Sequence, residues 1–198
     1  MPRDHRTITN ADIMSLQDYE IIRKEKREEN ILRKKYRQMA IGPHAMITFE
    51  CWDSMWLQVQ EMLRIEKGGD GQLADELAAY NPMIPNGSEL TATLMFEIDD
   101  EDRRRALLSK LGGIEQTIFI DLDGERIAAE PEQDVDRTTS DGKVSAVQFL
   151  HFAFTPVQRT KWLSGEGQIM LRIDHANYGH AAIIDSGRRT ELARDFTD

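Results

Sequence analysis

The 198-residue chain has one cysteine, Cys51, so no disulfide can close within it, and a reducing compartment is the expected setting. It contains no run near the roughly 18 apolar residues that span a bilayer, and its first residues, Met1-Pro-Arg-Asp-His-Arg, lead into no hydrophobic signal core. The expectation is a cytoplasmic protein with no membrane partner. The phosphate-loop pattern, Gly-x-Gly-x-x-Gly, Gly-x-Ser-x-Gly and Cys-x-x-Cys are all missing, so nucleotide, serine-hydrolase and thiol-redox chemistry lack sequence support. A lone cysteine cannot hold an iron–sulfur cluster. Glu-x-x-His, the usual helical donor pair of carboxylate-bridged metal sites, is absent too. The five histidines make no zinc pattern with Cys51, and Asp123-Gly124 and Asp141-Gly142 do not continue into calcium loops.

What is present suits a folded domain: 40% of residues are hydrophobic and 30% charged. The formal charge of -10 is unevenly placed. Residues 1–40 carry 10 Lys/Arg against 7 Asp/Glu, and residues 41–198 carry 15 against 28. This divides the chain into a basic N-terminal helical arm (1–40) and a single acidic α+β domain (41–198). An acidic body repels phosphate backbones, so nucleic acid is not an expected partner.

Thr9 to Met39 reads as a long charged helix, with capping-box starts at Thr9–Asp12 and Ser15–Asp18 and cations at Arg33, Lys34, Lys35 and Arg37 to oppose the dipole. Ala45–Glu50 alternates as a strand. Helices are expected from Asp53 to Lys67 and from Gln72 to Tyr80. In Leu90–Ile98, Leu90, Ala92, Leu94, Phe96 and Ile98 face one way, and Thr91, Thr93, Met95 and Glu97 the other. Acid in Asp99–Asp102 opens a further helix. Asp123-Gly124 joins two strands as a type I′ turn, and Glu130–Lys143 reads as an exposed loop. Val144–Phe154 is apolar on both faces, as a central strand would be. Thr155-Pro156-Val157-Gln158 starts a helix, strands flank the His175–His180 turn, and a short helix lies near Arg188–Phe196. The fold expected is α+β, a largely antiparallel sheet packed by several helices, with a long charged N-terminal helix.

The Asp53–Lys67 helix carries chemistry beyond packing. Trp52, Met55, Trp56, Val59, Met62 and Leu63 form one apolar arc, and Glu66 falls within it. Glu61 with Arg64, and Gln60 with Arg64, stand three and four residues apart, so a polar network along the helix is available. A carboxylate held where water is scarce must pair, or bind a proton or metal. Glu50, Gln60, Glu61, Arg64 and Glu66, with Tyr80 and Asn81 at the rim, are therefore the candidate binding residues. Glu61 and Glu66 are the candidates for a divalent metal, the one cofactor the sequence leaves open; no catalytic residue is assigned.

The chain resembles a bacterial family catalogued as domain of unknown function 3501. The resemblance rests on Phe49-Glu50, the Gln58-Val-Gln-Glu-Met-Leu-Arg-Ile-Glu66 run, Ala79–Pro85, Glu89-Leu90 and Ser145–Phe149. Members of that family often sit beside rubrerythrin-like and iron–sulfur oxidoreductase proteins, so the resemblance implies an accessory or interaction protein of a redox or peroxide-defence system. Its partner would be a redox protein, or a second copy docked through the N-terminal helix. The alternative is a metal- or small-molecule-binding protein or enzyme using the carboxylate/Arg site on the helix around residues 53–67.

Overall fold

The computed structural model of the protein describes residues 6–68, 71–132 and 145–196. The first long helix, α1 (Leu16–Arg37), starts at Ser15, whose hydroxyl accepts the Asp18 N–H, and carries Lys34, Lys35 and Arg37 in its last turn. It ends two residues before the expected Met39. Gln38–Ile41 instead forms strand β1, which pairs antiparallel with β2 (Ala45–Phe49), Gln38 lying opposite Thr48. Four residues carry too little alternation to announce a strand; the partner across the turn makes it one.

Helices α2 (Trp52–Glu66) and α3 (Gln72–Tyr80) follow, then β3 (Glu89–Phe96) and α4 (Glu101–Leu108). Strands β4 (Ile118–Leu122) and β5 (Glu125–Ala128) form the expected hairpin; Asp123 and Gly124 both have positive φ, as a type I′ turn requires. Most of the expected loop after Ala129 lies outside the described residues, but Glu130–Pro131 forms a short strand, β6. Next come β7 (Val147–Ala153), α5 (Pro156–Leu163), β8 (Ile169–His175), β9 (Tyr178–Ile183) and α6 (Ser186–Leu192). The start of α5 is a full capping box: the Thr155 hydroxyl accepts the Gln158 N–H, and the Gln158 side chain accepts the Thr155 N–H.

The strands make two antiparallel sheets, one ordered β1-β2-β3-β7-β6 and the other β5-β4-β8-β9. The chain is thus α+β, as the pattern of elements implied. Period-two alternation sends Ile41, Ile47, Leu94 and Leu150 of the first sheet into one core with Ile118, Ile120, Leu171 and Ile173 of the second. Each such side chain contributes about 1.5–3 kcal/mol of burial. Tyr178 ties the two sheets together. Its hydroxyl accepts the His44 and Ala45 N–H groups at 3.0 and 2.9 Å and donates to the Ile41 carbonyl at 2.9 Å. Gly42 has φ +71° there, and any Cβ on it would strike the His180 ring and the Tyr178 hydroxyl.

A second core lies on the opposite face of the first sheet. Trp52, Met55, Trp56 and Val59 of α2 pack there with Tyr19 of α1, Ile8, Met83 and Ile84. The expected apolar arc of α2 therefore has its partner, except that Glu66 is exposed rather than covered. Its position in the last turn lets the carboxylate leave the packed face. On the outer side of α1, Ile21, Ile31 and Leu32 are exposed. Among the described residues no helix is long and apolar enough to cross a membrane.

Candidate functional site

Glu50 stands at the corner where β2 gives way to α2. The alternation that buries Ala45, Ile47 and Phe49 in the main core turns Thr48 and Glu50 toward the helices. Backbone bonds fix the corner: the Glu50 N–H donates to the Thr91 carbonyl at 2.8 Å, and its own carbonyl accepts Nη1 of Arg37 at 3.0 Å. The side chain is 6% exposed. The Ser54 and Thr93 hydroxyls each donate to one of its carboxyl oxygens at 2.7 Å. Among the described residues it has no ion-pair partner. Burial pushes its carboxyl above the usual range, while the two hydroxyls and the charges of Lys34 and Arg37 pull it back.

This carboxyl lines a cavity of about 600 Å³, within the span that takes small organic ligands. One wall is the first sheet, where register places Gln38, Thr48, Thr93 and Phe149 in a single row across four strands. Met95 and Val147 form the next row, with Glu97 exposed beyond them. A second wall comes from α2 and α3. Ser54, Met55 and Gln58 line it, and the Gln58 amide donates to the Tyr80 hydroxyl at 3.3 Å.

The third wall is the basic end of α1, carrying Asn30, Arg33, Lys34 and Arg37. Two of its cations are balanced from behind. Arg33 lies 3.5 Å from Asp53 and donates to Asn30. Arg37, 1% exposed, makes a two-pronged bond to Asp195 at 2.7 and 3.0 Å and a third to Glu191 at 3.1 Å. Lys34 makes no ion pair among the described residues.

The sequence-derived candidates divide between this cavity and other duties. Glu50 and Tyr80 line it. Glu61 does not: Arg23 of α1 grips both its oxygens at 2.7 and 2.9 Å, and the Tyr19 hydroxyl donates at 2.5 Å. The Arg23 bond, then Tyr19, hold the Glu61 carboxyl at about 2. Arg64 pairs with Glu20. The network expected along α2 is therefore drawn between α2 and α1, because the facing helix offers opposite charges at closer range than i,i+3 neighbours do. Glu66 is exposed and accepts a bond from Gln72 at 3.2 Å. Asn81 clasps Ile8, accepting its N–H at 2.7 Å and donating to its carbonyl at 3.0 Å, which pins the segment before α1. Gln60 is fully buried away from the cavity, and both its amide atoms lack a hydrogen-bond partner among the described residues.

Lys34, Thr48, Thr93, Gln38 and Ser54 were not singled out by the sequence. A signal existed for Thr93, which alternation put on the face opposite Leu94. That this face is roofed rather than bathed in solvent depends on α1 and α2 lying over it. A further polar cluster also escaped the sequence. The His151 imidazole stands between Glu89 at 3.1 Å and Glu132 at 3.0 Å. The Glu89 bond, partly opposed by burial, raises its pKa. Among the described residues no group of three or more His, Cys, Asp or Glu side chains is placed to hold a metal ion.

No curated protein matches the chain. A crystal structure of a novel protein of unknown function from Burkholderia pseudomallei K96243 is 36% identical, with a TM-score of 0.89 over 96% of this chain and 100% of that one. Neither that description nor the family's names an activity or a redox partner. The family model described as "Protein of unknown function (DUF3501)" matches residues 7–196, and with Glu50, the Gln58–Glu66 run and Tyr80 all inside that span, the chain belongs to this family.

Proposed function

We propose that this protein binds a small organic molecule in the cavity above Glu50. The observation that carries the reading is the Glu50 carboxyl itself, which faces a cavity of about 600 Å³ with two hydroxyl donors and, among the described residues, no ion-pair partner. A buried carboxylate without a counter-charge costs several kcal/mol, and a fold keeps such a group where a ligand completes it or where a proton must be given and taken. The surroundings fit the first role. Methionine, valine and phenylalanine side chains supply apolar wall, while Thr48, Gln38, Gln58 and Tyr80 supply a few fixed polar groups, the composition of a small-molecule site. The hydroxyls of Ser54 and Thr93 hold the carboxyl in one orientation, so little ordering is left for the binding step.

The test is a thermal-shift screen of small polar-aromatic and polar-aliphatic compounds against the wild type and Met95→Trp. Met95 is half-exposed on the sheet wall, so an indole there fills the cavity without disturbing the core. Compounds that stabilise the wild type and lose their effect in the variant are expected. If every stabilising compound acts equally on both proteins, the cavity is not the binding site.

A further inference from the structure

The charges around the cavity are arranged by wall. The sheet side and its corner hold the acids Glu50 and Glu97, and the α1 side holds the bases. Arg33 and Arg37 are already neutralised by Asp53, Asp195 and Glu191, none of which lines the cavity. That leaves Lys34 on one wall and the buried Glu50 carboxyl on the other without an ion pair among the described residues. Lys34 is exposed at the rim while Glu50 is deep. A cleft with low-dielectric walls focuses the field between such groups. The charge of Lys34 acts on Glu50 across the cavity, and the two make no direct ion pair among the described residues.

A single anion would satisfy Lys34 and be repelled by Glu50 and Glu97. A single cation would satisfy Glu50 and be repelled by Lys34. A molecule with both charges satisfies each at once. The remaining surface, Met55, Met95, Val147 and Phe149, is apolar and asks for an apolar body on the same molecule.

We infer that the cavity takes a zwitterionic amino acid with an apolar side chain, its carboxylate on Lys34 and its ammonium on Glu50. This rests on the cavity being a binding site and adds the class of its occupant. The ammonium has three donors and Glu50 two acceptor oxygens, each already taking one hydroxyl, so further lone pairs stay open for the ligand. Asn30 and Gln58 flank the route with amide groups suited to the ligand carboxylate.

The experiment uses calorimetric titration of the full chain at pH 7 with three probes: L-phenylalanine, 3-phenylpropionate, which lacks the amine, and phenethylamine, which lacks the carboxylate. L-Phenylalanine is expected to bind at least about tenfold more tightly than either half, since each half leaves one charged wall group unanswered. Lys34→Gln is expected to weaken L-phenylalanine and 3-phenylpropionate about tenfold and to leave phenethylamine as tight or tighter. Glu50→Gln is expected to weaken L-phenylalanine and phenethylamine about tenfold and to leave 3-phenylpropionate as tight or tighter. Lys34 is exposed, so its variant keeps the test open even where Glu50→Gln fails to fold. The inference is overturned if either half-ligand matches the whole, or if Lys34→Gln leaves L-phenylalanine binding unchanged. If a half-ligand binds as tightly as L-phenylalanine and Met95→Trp abolishes the binding of both, the cavity reading stands and only the zwitterion falls. If no probe binds and the wider screen finds no Met95→Trp-sensitive compound, both fall together.

Discussion

Removing the Glu61 carboxylate should loosen α1 from α2, and the size of the effect follows from the geometry. Arg23 binds both Glu61 oxygens and Tyr19 adds a third bond, which together lower the carboxyl from its ordinary 4.5 to about 2. At about 1.36 kcal/mol per pH unit this corresponds to about 3 kcal/mol. The Arg23 and Glu61 side chains are 23% and 21% exposed, so water screens part of the attraction, and about 1.5–2 kcal/mol is the working value. For a chain of this length that is a drop in Tm of roughly 3–8 °C for Glu61→Gln at pH 7. The pH dependence is diagnostic. A lowered carboxyl gives stability that is present above its unfolded value, near 4.5, and lost as pH falls through its folded value, about 2. Urea unfolding followed by circular dichroism, run on wild type and Glu61→Gln at pH 7 and pH 3, should show the gap narrowing at the lower pH. The wall that carries Asn30, Arg33 and Lys34 belongs to the helix this network holds, so Glu61→Gln should also weaken any cavity ligand. A gap below about 0.5 kcal/mol at pH 7, the level of an ordinary exposed pair, or one of equal size at both pH values, refutes the reasoning.

Two more outcomes follow from polar groups elsewhere. His151 is raised above its ordinary 6.5 by Glu89 and Glu132, so its contribution is full below pH 6.5 and fades as pH rises through the raised value; unfolding free energies at pH 6 and pH 9 should differ in the wild type, and His151→Gln should flatten that part of the profile. Gln60→Met should stabilise by about 1 kcal/mol, because it replaces a fully buried amide that has no hydrogen-bond partner among the described residues by an apolar chain of similar length; a loss of stability in the same unfolding assay would show that the amide is hydrogen-bonded after all.

The elements with strong local chemistry are legible in the order of residues alone. The Asp-Gly turn, the Thr155 capping box, the long basic-ended helix and the two-faced strand around Leu94 each follow from contacts within a few residues, where sequence order and spatial order coincide. Strand β1 is not legible in that way, since its only cause is pairing with β2. The same distinction runs through the site. Composition and helical spacing determined that carboxylates would gather around α2 and that some would be short of water. Which one faces a cavity was settled by helix packing: α1 brings Arg23 to Glu61 and Glu20 to Arg64, and the same helix lines the Glu50 cavity with Lys34. A residue's neighbours along its own chain are fixed by covalent geometry, but the charge that meets it across 38 or 44 positions is set by how two surfaces bury their apolar faces, and only the folded arrangement decides that.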